Sequence, residues 1–333
     1  MTPPRVIAIA WCRFQPRTVS LAAALNGSVE FITGSAFAPN GSPLLLRYFL
    51  SAFQMWRTLE AGQPDVVLVI TPPVFAPLVA WVWCKVRRRR LVIDCHTDTF
   101  HSRKWRWANP LNRILIHGAV TALVHTEEAE ALAGSWHAPI LLLPDDLPEV
   151  TQALPQPASD RPRVLVAGGL DDQEPVRETL EAARLLPDVE FVVTGEEHRV
   201  LAHVRATAPP NVIFSGYLAY PQFLGQLKAA DVVAAFSLDP HIMNRAAFEA
   251  IGLSCPLILS DFPGLRARFG DAAIFCTNEP AAMAAAVRQA LDQKEALSVR
   301  SRALEARLRQ QHSNALARLR RILSSSEPAL AHA

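Results

Sequence analysis

Cysteine is scarce and scattered, with only Cys12, Cys84, Cys95, Cys255 and Cys276 in 333 residues. The number is odd and no pair has CxxC spacing, so neither a disulfide framework nor a structural zinc site is indicated. A reducing cytoplasm is the expected compartment. Cys95 and His96 are adjacent and no other pair has metal-ligand spacing, so no metal is expected. A GxGxxG after a first strand is missing, which sets aside a dinucleotide-binding domain, and Gly168-Gly169 is only a pair. GxSxG and a Walker loop are also missing, which excludes the common hydrolase and nucleotide-hydrolysing designs. Charge of one sign is lacking too: a formal net charge of +2 with 19% charged residues describes an ordinary globular protein and not one that coats nucleic acid. The longest apolar run, Val74 to Cys84, is interrupted by Pro77 and falls short of the roughly 20 residues needed to span a bilayer. The N-terminus shows no basic head followed by a long apolar stretch, so no signal peptide is expected.

What the chain has is length and rhythm. It is long enough for two domains with separate cores. Short runs rich in Val, Ile and Leu recur at Val6–Cys12, Val29–Thr33, Val66–Ile70, Leu91–Asp94 and Ala119–His125. They resume at Arg163–Ala167, Val189–Thr194, Val212–Ser215, Val232–Ser237, Pro256–Ser260 and Ala272–Cys276. Continuous apolarity without alternation suits strands buried on both faces of a parallel sheet. Helical stretches intervene, among them Leu44–Ala61, Pro77–Val86, Pro175–Leu186, Tyr220–Ala230, Arg245–Leu253 and Pro280–Gln293, and a long Ala/Leu/Arg-rich helix follows from Glu295 to Leu323. Between Pro148 and Pro162 the composition turns to Pro, Gln, Ala, Ser and Asp, which favours an exposed connector. The expected organisation is a Rossmann-like domain over 1–147, a linker over 148–162, a second such domain with its terminal helix over 163–323, and a disordered tail over 324–333.

In open α/β sheets ligands gather at the carboxyl ends of strands. The informative places are therefore Trp11-Cys12-Arg13, Thr71-Pro72-Pro73, the stretch from Asp94 to Asp98, and Ser237 to Glu249. His96 is the candidate base, since imidazole titrates near neutrality, and Asp94 or Asp98 could orient it; the bland reading is a packed or solvated loop histidine. Lys85 and Arg87 to Arg90 lie beside Trp81 and Trp83, and a second aromatic-basic stretch runs from Arg103 to Trp107. Two readings stay open: peripheral contact with an anionic membrane at its inner face, or a helix end carrying cations over core tryptophans.

The stretch Asp231 to Asp261 resembles the donor-site segment of family 4-type GT-B glycosyltransferases (glycosyl transferases group 1). Phe248-Glu249-Ala250 stands where that family has Leu-Glu-Ala, and Cys255-Pro256-Leu257-Ile258 where it has Cys-Pro-Val-Ile. Gly216-Tyr217 and Ala229-Ala230-Asp231 fit the approach to it. The resemblance spans Pro162 to Asn278 and, more loosely, Asp65 to Leu132. It implies an α/β GT-B fold, two doubly wound domains facing a cleft, with a C-terminal helix able to cross back. The activity implied is transfer of a sugar from a nucleotide-sugar donor to a glycan or lipid-linked acceptor with retention, the nucleotide sugar being a substrate and no cofactor being needed. Gly168, Gly169, Met243, Asn244, Arg245 and Glu249 would hold the donor: the glutamate accepts from ribose hydroxyls and the helix start faces the diphosphate. His96 and Asp98 would serve the acceptor side, and His241 the sugar or leaving group. Two departures stand out. His241 takes the place of a second family glutamate, and Gly168-Gly169-Leu170-Asp171-Asp172-Gln173-Glu174 replaces a loop that carries two cations. A non-catalytic binding or scaffold protein, or a sugar-nucleotide epimerase, therefore remains open beside the transferase.

Overall fold

The computed structural model describes residues 4–33, 43–96, 98–102, 104–157, 159–168, 170, 172–196 and 202–325, apart from the side chains of Asp98, Ala202 and His203. The expected disordered tail lies almost wholly outside these residues. Two compact units are present, one comprising the chain up to Asp146 together with everything from Gln311 onward, the other Leu147–Gln310. The stretch expected to be an exposed linker groups with the second unit, and the end of the last helix with the first.

The first unit contains β1 (Val6–Ala10), α1 (Pro16–Ala24), β2 (Ser28–Phe31), α2 (Leu44–Gly62), β3 (Val66–Thr71), α3 (Phe75–Arg87), β4 (Arg90–Cys95), α4 (Asp98–His101), α5 (Asn109–His117), β5 (Thr121–Val124), α6 (Glu127–Gly134) and β6 (Ile140–Leu142). All six strands are parallel, in the order β2-β1-β3-β4-β5-β6. β1, β3 and β5 are buried at every residue, as their unbroken apolarity requires. β6 was not foreseen: three residues carry too little pattern to read as a strand, and only pairing with β5 defines it. α6 starts where Thr126 accepts the Ala129 N–H at 3.1 Å, with three glutamates in its first turn facing the helix dipole.

The second unit contains β7 (Arg163–Val166), α7 (Val176–Arg184), β8 (Glu190–Thr194), α8 (Ala202–Ala206), β9 (Val212–Gly216), α9 (Tyr220–Ala229), β10 (Val232–Ala235), α10 (Arg245–Gly252), β11 (Leu257–Ser260), α11 (Pro263–Phe269), β12 (Ala273–Cys276), α12 (Pro280–Asp292) and the start of α13 (Lys294–Ser324). Its parallel sheet runs β12-β11-β10-β7-β8-β9. Strand order reverses between β7 and β10, and in the first unit between β1 and β3. These reversals are where a doubly wound sheet opens a crevice for a ligand.

Apolar side chains fill both faces of each sheet. One face of the first is covered by the far end of α13: Ala315, Leu316, Leu319 and Leu323 pack with Val6, Ala8, Leu68, Val92 and Leu123. Arg320 donates to the Ala24 carbonyl at 2.7 Å and His312 Nδ1 to the Pro144 carbonyl at 3.0 Å. In the second unit α9 lies against the connector so closely that a β-carbon on Gly225 would overlap the Leu154 carbonyl oxygen.

The tryptophan reading divides. Trp83 is wholly buried, its indole N–H donating to Glu60 at 2.8 Å, so it is a core residue and not part of a membrane face. Trp81 is partly buried with the Lys85 ammonium 5.1 Å from its ring. Within the basic cluster, Arg87 pairs with Glu60 and Arg89 with Asp65, each at 2.8 Å.

Candidate functional site

At the β7/β10 reversal two loops meet: the Leu238 N–H donates to the Gln173 carbonyl at 2.7 Å, tying the β10–α10 connection to the β7–α7 connection. Local bonds shape the β10–α10 connection. The Ser237 hydroxyl accepts from the Asp239 N–H at 3.1 Å, and the Asp239 carboxylate accepts from the His241 N–H at 2.9 Å. Asn244 then caps α10, its Oδ1 accepting from the Ala246 N–H at 3.1 Å. Below, Ser260 donates to Asn278 at 2.7 Å and Asn278 donates to the Ser237 carbonyl at 2.7 Å, fixing the ends of β10, β11 and β12 against one another.

Glu249 lies one turn into α10 and is only 3% exposed. The Arg245 Nε donates to its Oε1 at 3.1 Å, an i,i+4 pair whose arginine is partly buried. Tyr220, from the start of α9, hydrogen-bonds with both. Burial first, then the Glu249 carboxylate, push the Tyr220 phenol well above its ordinary pKa, so it stays a protonated donor. A buried carboxylate, a cation and a phenol thus form one set. Met243 is partly buried ahead of the cap and His241 is exposed.

Gly168 follows β7, and its N–H donates to the Thr194 hydroxyl at 3.1 Å. Gly169 lies outside the described residues. The space that a side chain on Gly168 would take is held by the Glu174 carboxylate, which accepts from the Leu170 N–H at 2.9 Å. No lysine or arginine occurs between Gly168 and Pro175.

The carboxyl ends of the first sheet carry a buried polar network that sequence reasoning mostly missed. The Arg17 guanidinium donates to both Asp94 oxygens at 3.0 and 3.3 Å through Nε and to Asp145 at 3.1 Å, and also to the Leu143 and Pro144 carbonyls. The His125 Nε2–H donates to Asp94 at 3.2 Å. Burial opposes ionisation of Asp94, but Arg17 and His125 outweigh it and hold the carboxyl far below the usual carboxylate range. His96 sits against this network, its ring centroid 4.6 Å from that of His125. Asp94 is one of the two carboxylates that could orient His96, and its oxygens serve Arg17 and His125. Gln15 holds the ring instead: its Oε1 accepts from Thr18 at 2.5 Å, which leaves its amide N–H₂ to donate to His96 Nε2. The His96 N–H also donates from the backbone to the Thr71 carbonyl at 3.0 Å. Asp98 opens α4, but its side chain lies outside the described residues. Burial first, then His125, push His96 down to about 4, against the raising effect of Asp94 and Asp145. The ring is thus neutral across the neutral range. Nothing local in the sequence pointed to Arg17, His125 or Asp145, since their only shared signal is adjacency to strand ends.

Two parallel six-stranded sheets with flanking helices, each bearing its polar loops at the strand carboxyl ends, define the class as GT-B. Residues 161–293, which lie within the second unit, match the model of the glycosyl transferases group 1 family. Among solved structures, the chain is similar to a sucrose-phosphate synthase from Thermosynechococcus elongatus at 13% identity and TM-score 0.74, covering 96% of this chain and 98% of that one. It is also similar to HepE of Anabaena, solved in complex with UDP and glucose, at 14% identity and TM-score 0.73, covering 96% and 99%. No curated protein sequence matches it. No described helix is long and apolar enough to cross a membrane.

Proposed function

We propose that the protein moves a sugar from a nucleotide-activated donor to a glycan or lipid-linked acceptor, with retention and without a metal ion, and makes peripheral contact with an anionic membrane. The observation that carries the donor half is Glu249, buried at the head of an Asn244-capped helix beside the β7/β10 reversal. A ribose diol presents the same kind of donor that Tyr220 and Arg245 now present, and a buried carboxylate takes such bonds with charge-assisted strength. The α10 start and Arg245 offer the diphosphate a favourable dipole and a cation, the work that a metal ion would otherwise do. HepE, which binds UDP and glucose, supports this class of donor. On the acceptor side His96 is unprotonated at working pH and so can take a hydrogen bond from the acceptor hydroxyl, displacing the Gln15 amide. A ring titrating near 4 has little driving force for full proton removal, which suits a transfer in which the leaving diphosphate takes up the proton. His241 is placed by this reading against the transferred sugar, with Gly168, Gly169 and Met243 beside the donor and Asp98 beside His96.

The test is calorimetry with UDP, GDP, ADP and TDP on the wild type and on Glu249→Gln, with unfolding curves as the fold control. One nucleotide should bind, and the variant should lose about tenfold or more in affinity, the usual worth of a hydrogen bond to a charged group. Equal affinities would remove Glu249 from the site. A second reading, a non-catalytic binding protein, is favoured by one feature: the β7–α7 loop carries no cation and turns the Glu174 carboxylate inward. Slow hydrolysis or transfer of a bound nucleotide sugar would decide for the enzyme.

A further inference from the structure

Helix α2 buries one side and leaves the other uncovered. Ser51, Met55 and Leu59, spaced by four, face the core. Leu45, Phe49 and Phe53, also spaced by four, face outward and are 78%, 69% and 55% exposed. Among the described residues none of these three side chains belongs to a core cluster. Beside the stripe, aromatic rings lead from the helix through the core to the surface at Trp107. Tyr48 on α2 lies 6.5 Å from Trp105 by ring centroid, and Trp105 lies 6.3 Å from Trp107, which is 60% exposed.

The charge around this face is mostly positive, the one acid of α2 being Glu60 near its end, which pairs with Arg87. Between Pro43 and Leu59 the acids are none and the bases are Arg47 and Arg57; between Lys104 and His117 the acids are again none and the bases are Lys104, Arg106 and Arg113. Arg47, Arg57, Lys104 and Arg106 are exposed and have no ion-pair partner among the described residues. Arg57 instead lies over the Phe53 ring at 5.9 Å, and Lys104 over Trp105 at 5.7 Å. Apolar side chains in the middle and cations with apolar stems at the edge form the pattern of a surface that enters a lipid headgroup layer.

We propose that the outer face of α2, extended by Lys104 to Trp107, docks onto an anionic lipid bilayer, with Leu45, Phe49 and Phe53 entering the acyl boundary and the four cations meeting lipid phosphates. This locates the membrane contact proposed above on α2 and the Lys104–Trp107 stretch, beside the Trp81–Arg90 cluster of the neighbouring α3 and not within it, and it does not depend on the transfer reaction. A second protein would need acids to match the cations and is the less economical occupant. A second copy of this chain would bring the same positive face against itself.

The test is co-sedimentation of the full chain with phosphatidylcholine vesicles, with and without phosphatidylglycerol, for the wild type, Phe49→Glu/Phe53→Glu, Arg47→Glu/Arg57→Glu and Lys85→Glu/Arg88→Glu. All substituted positions are surface ones, and an unchanged thermal midpoint verifies each fold. The wild type should sediment with the anionic vesicles only, less so in high salt. Each α2 variant should lose roughly tenfold or more in partitioning. If the wild type binds neither vesicle, both this proposal and the membrane contact fall. If only Lys85→Glu/Arg88→Glu loses binding, the contact stands and the α2 assignment falls. It falls also if light scattering shows a wild-type dimer that Phe49→Glu/Phe53→Glu converts to monomer.

Discussion

Replacing Arg17 by methionine would leave two carboxylates, Asp94 and Asp145, buried without the cation that all its guanidinium nitrogens serve. Removing one partner of a buried ionic network costs about 3–5 kcal/mol, so Arg17→Met should lower the urea midpoint by a corresponding amount; a midpoint near that of the wild type would show that the network is not held by charge. His96 makes a pH prediction. The unfolded chain takes up its proton near the ordinary 6.5, the folded protein only near 4. Between these values the unfolded state holds more protons, so this contribution is complete above about pH 6.5 and is lost as pH falls toward 4, on the order of 3 kcal/mol in all. His96→Gln should therefore flatten the acid side of the stability curve; parallel curves for the two proteins would contradict the depressed titration.

Helices and strands carry the next level of consequence. Gly225 lets α9 touch the connector at Leu154, and the Leu154 N–H donates to the Pro221 carbonyl at 3.0 Å. Gly225→Ala gains helix propensity on an isolated helix, about 1 kcal/mol, yet here the methyl must displace backbone and should destabilise by about 1–3 kcal/mol instead. A thermal midpoint at or above that of the wild type would refute the close approach. The same elements show what a sequence can disclose. The runs at Val66, Leu91, Val189 and Val232 became strands because unbroken apolarity over four to six residues has few other uses, and the stretch from Arg245 was legible as a helix, though its Asn244 cap was not read. The Arg17 network was not, because it joins residues 17, 94, 125 and 145, whose proximity exists only after five strands have paired. The outer stripe of α2 was hidden for another reason: with apolar residues on both sides, its sequence shows a helix without showing which side the core takes.

For the whole molecule, the last helix belongs to two cores. Ending the chain after Gln310 would remove Leu316, Leu319 and Leu323 from the first sheet and leave Val6, Leu68, Val92 and Leu123 facing water. Burying a leucine contributes about 1.5–3 kcal/mol, so the truncated chain should expose the first unit to protease while Leu147–Gln310 persists as a resistant fragment. Equal resistance of both halves would show that the first sheet does not need this cover. Arg320 reaches Ala24 across 296 positions of chain. On the ribosome the second unit, one continuous stretch, can close its core as it emerges, whereas the unit that was made first must wait with an open apolar face until the final turns of α13 arrive. Of the two units, the one made earlier is the one that finishes folding last, and during that interval it is the part most dependent on chaperones.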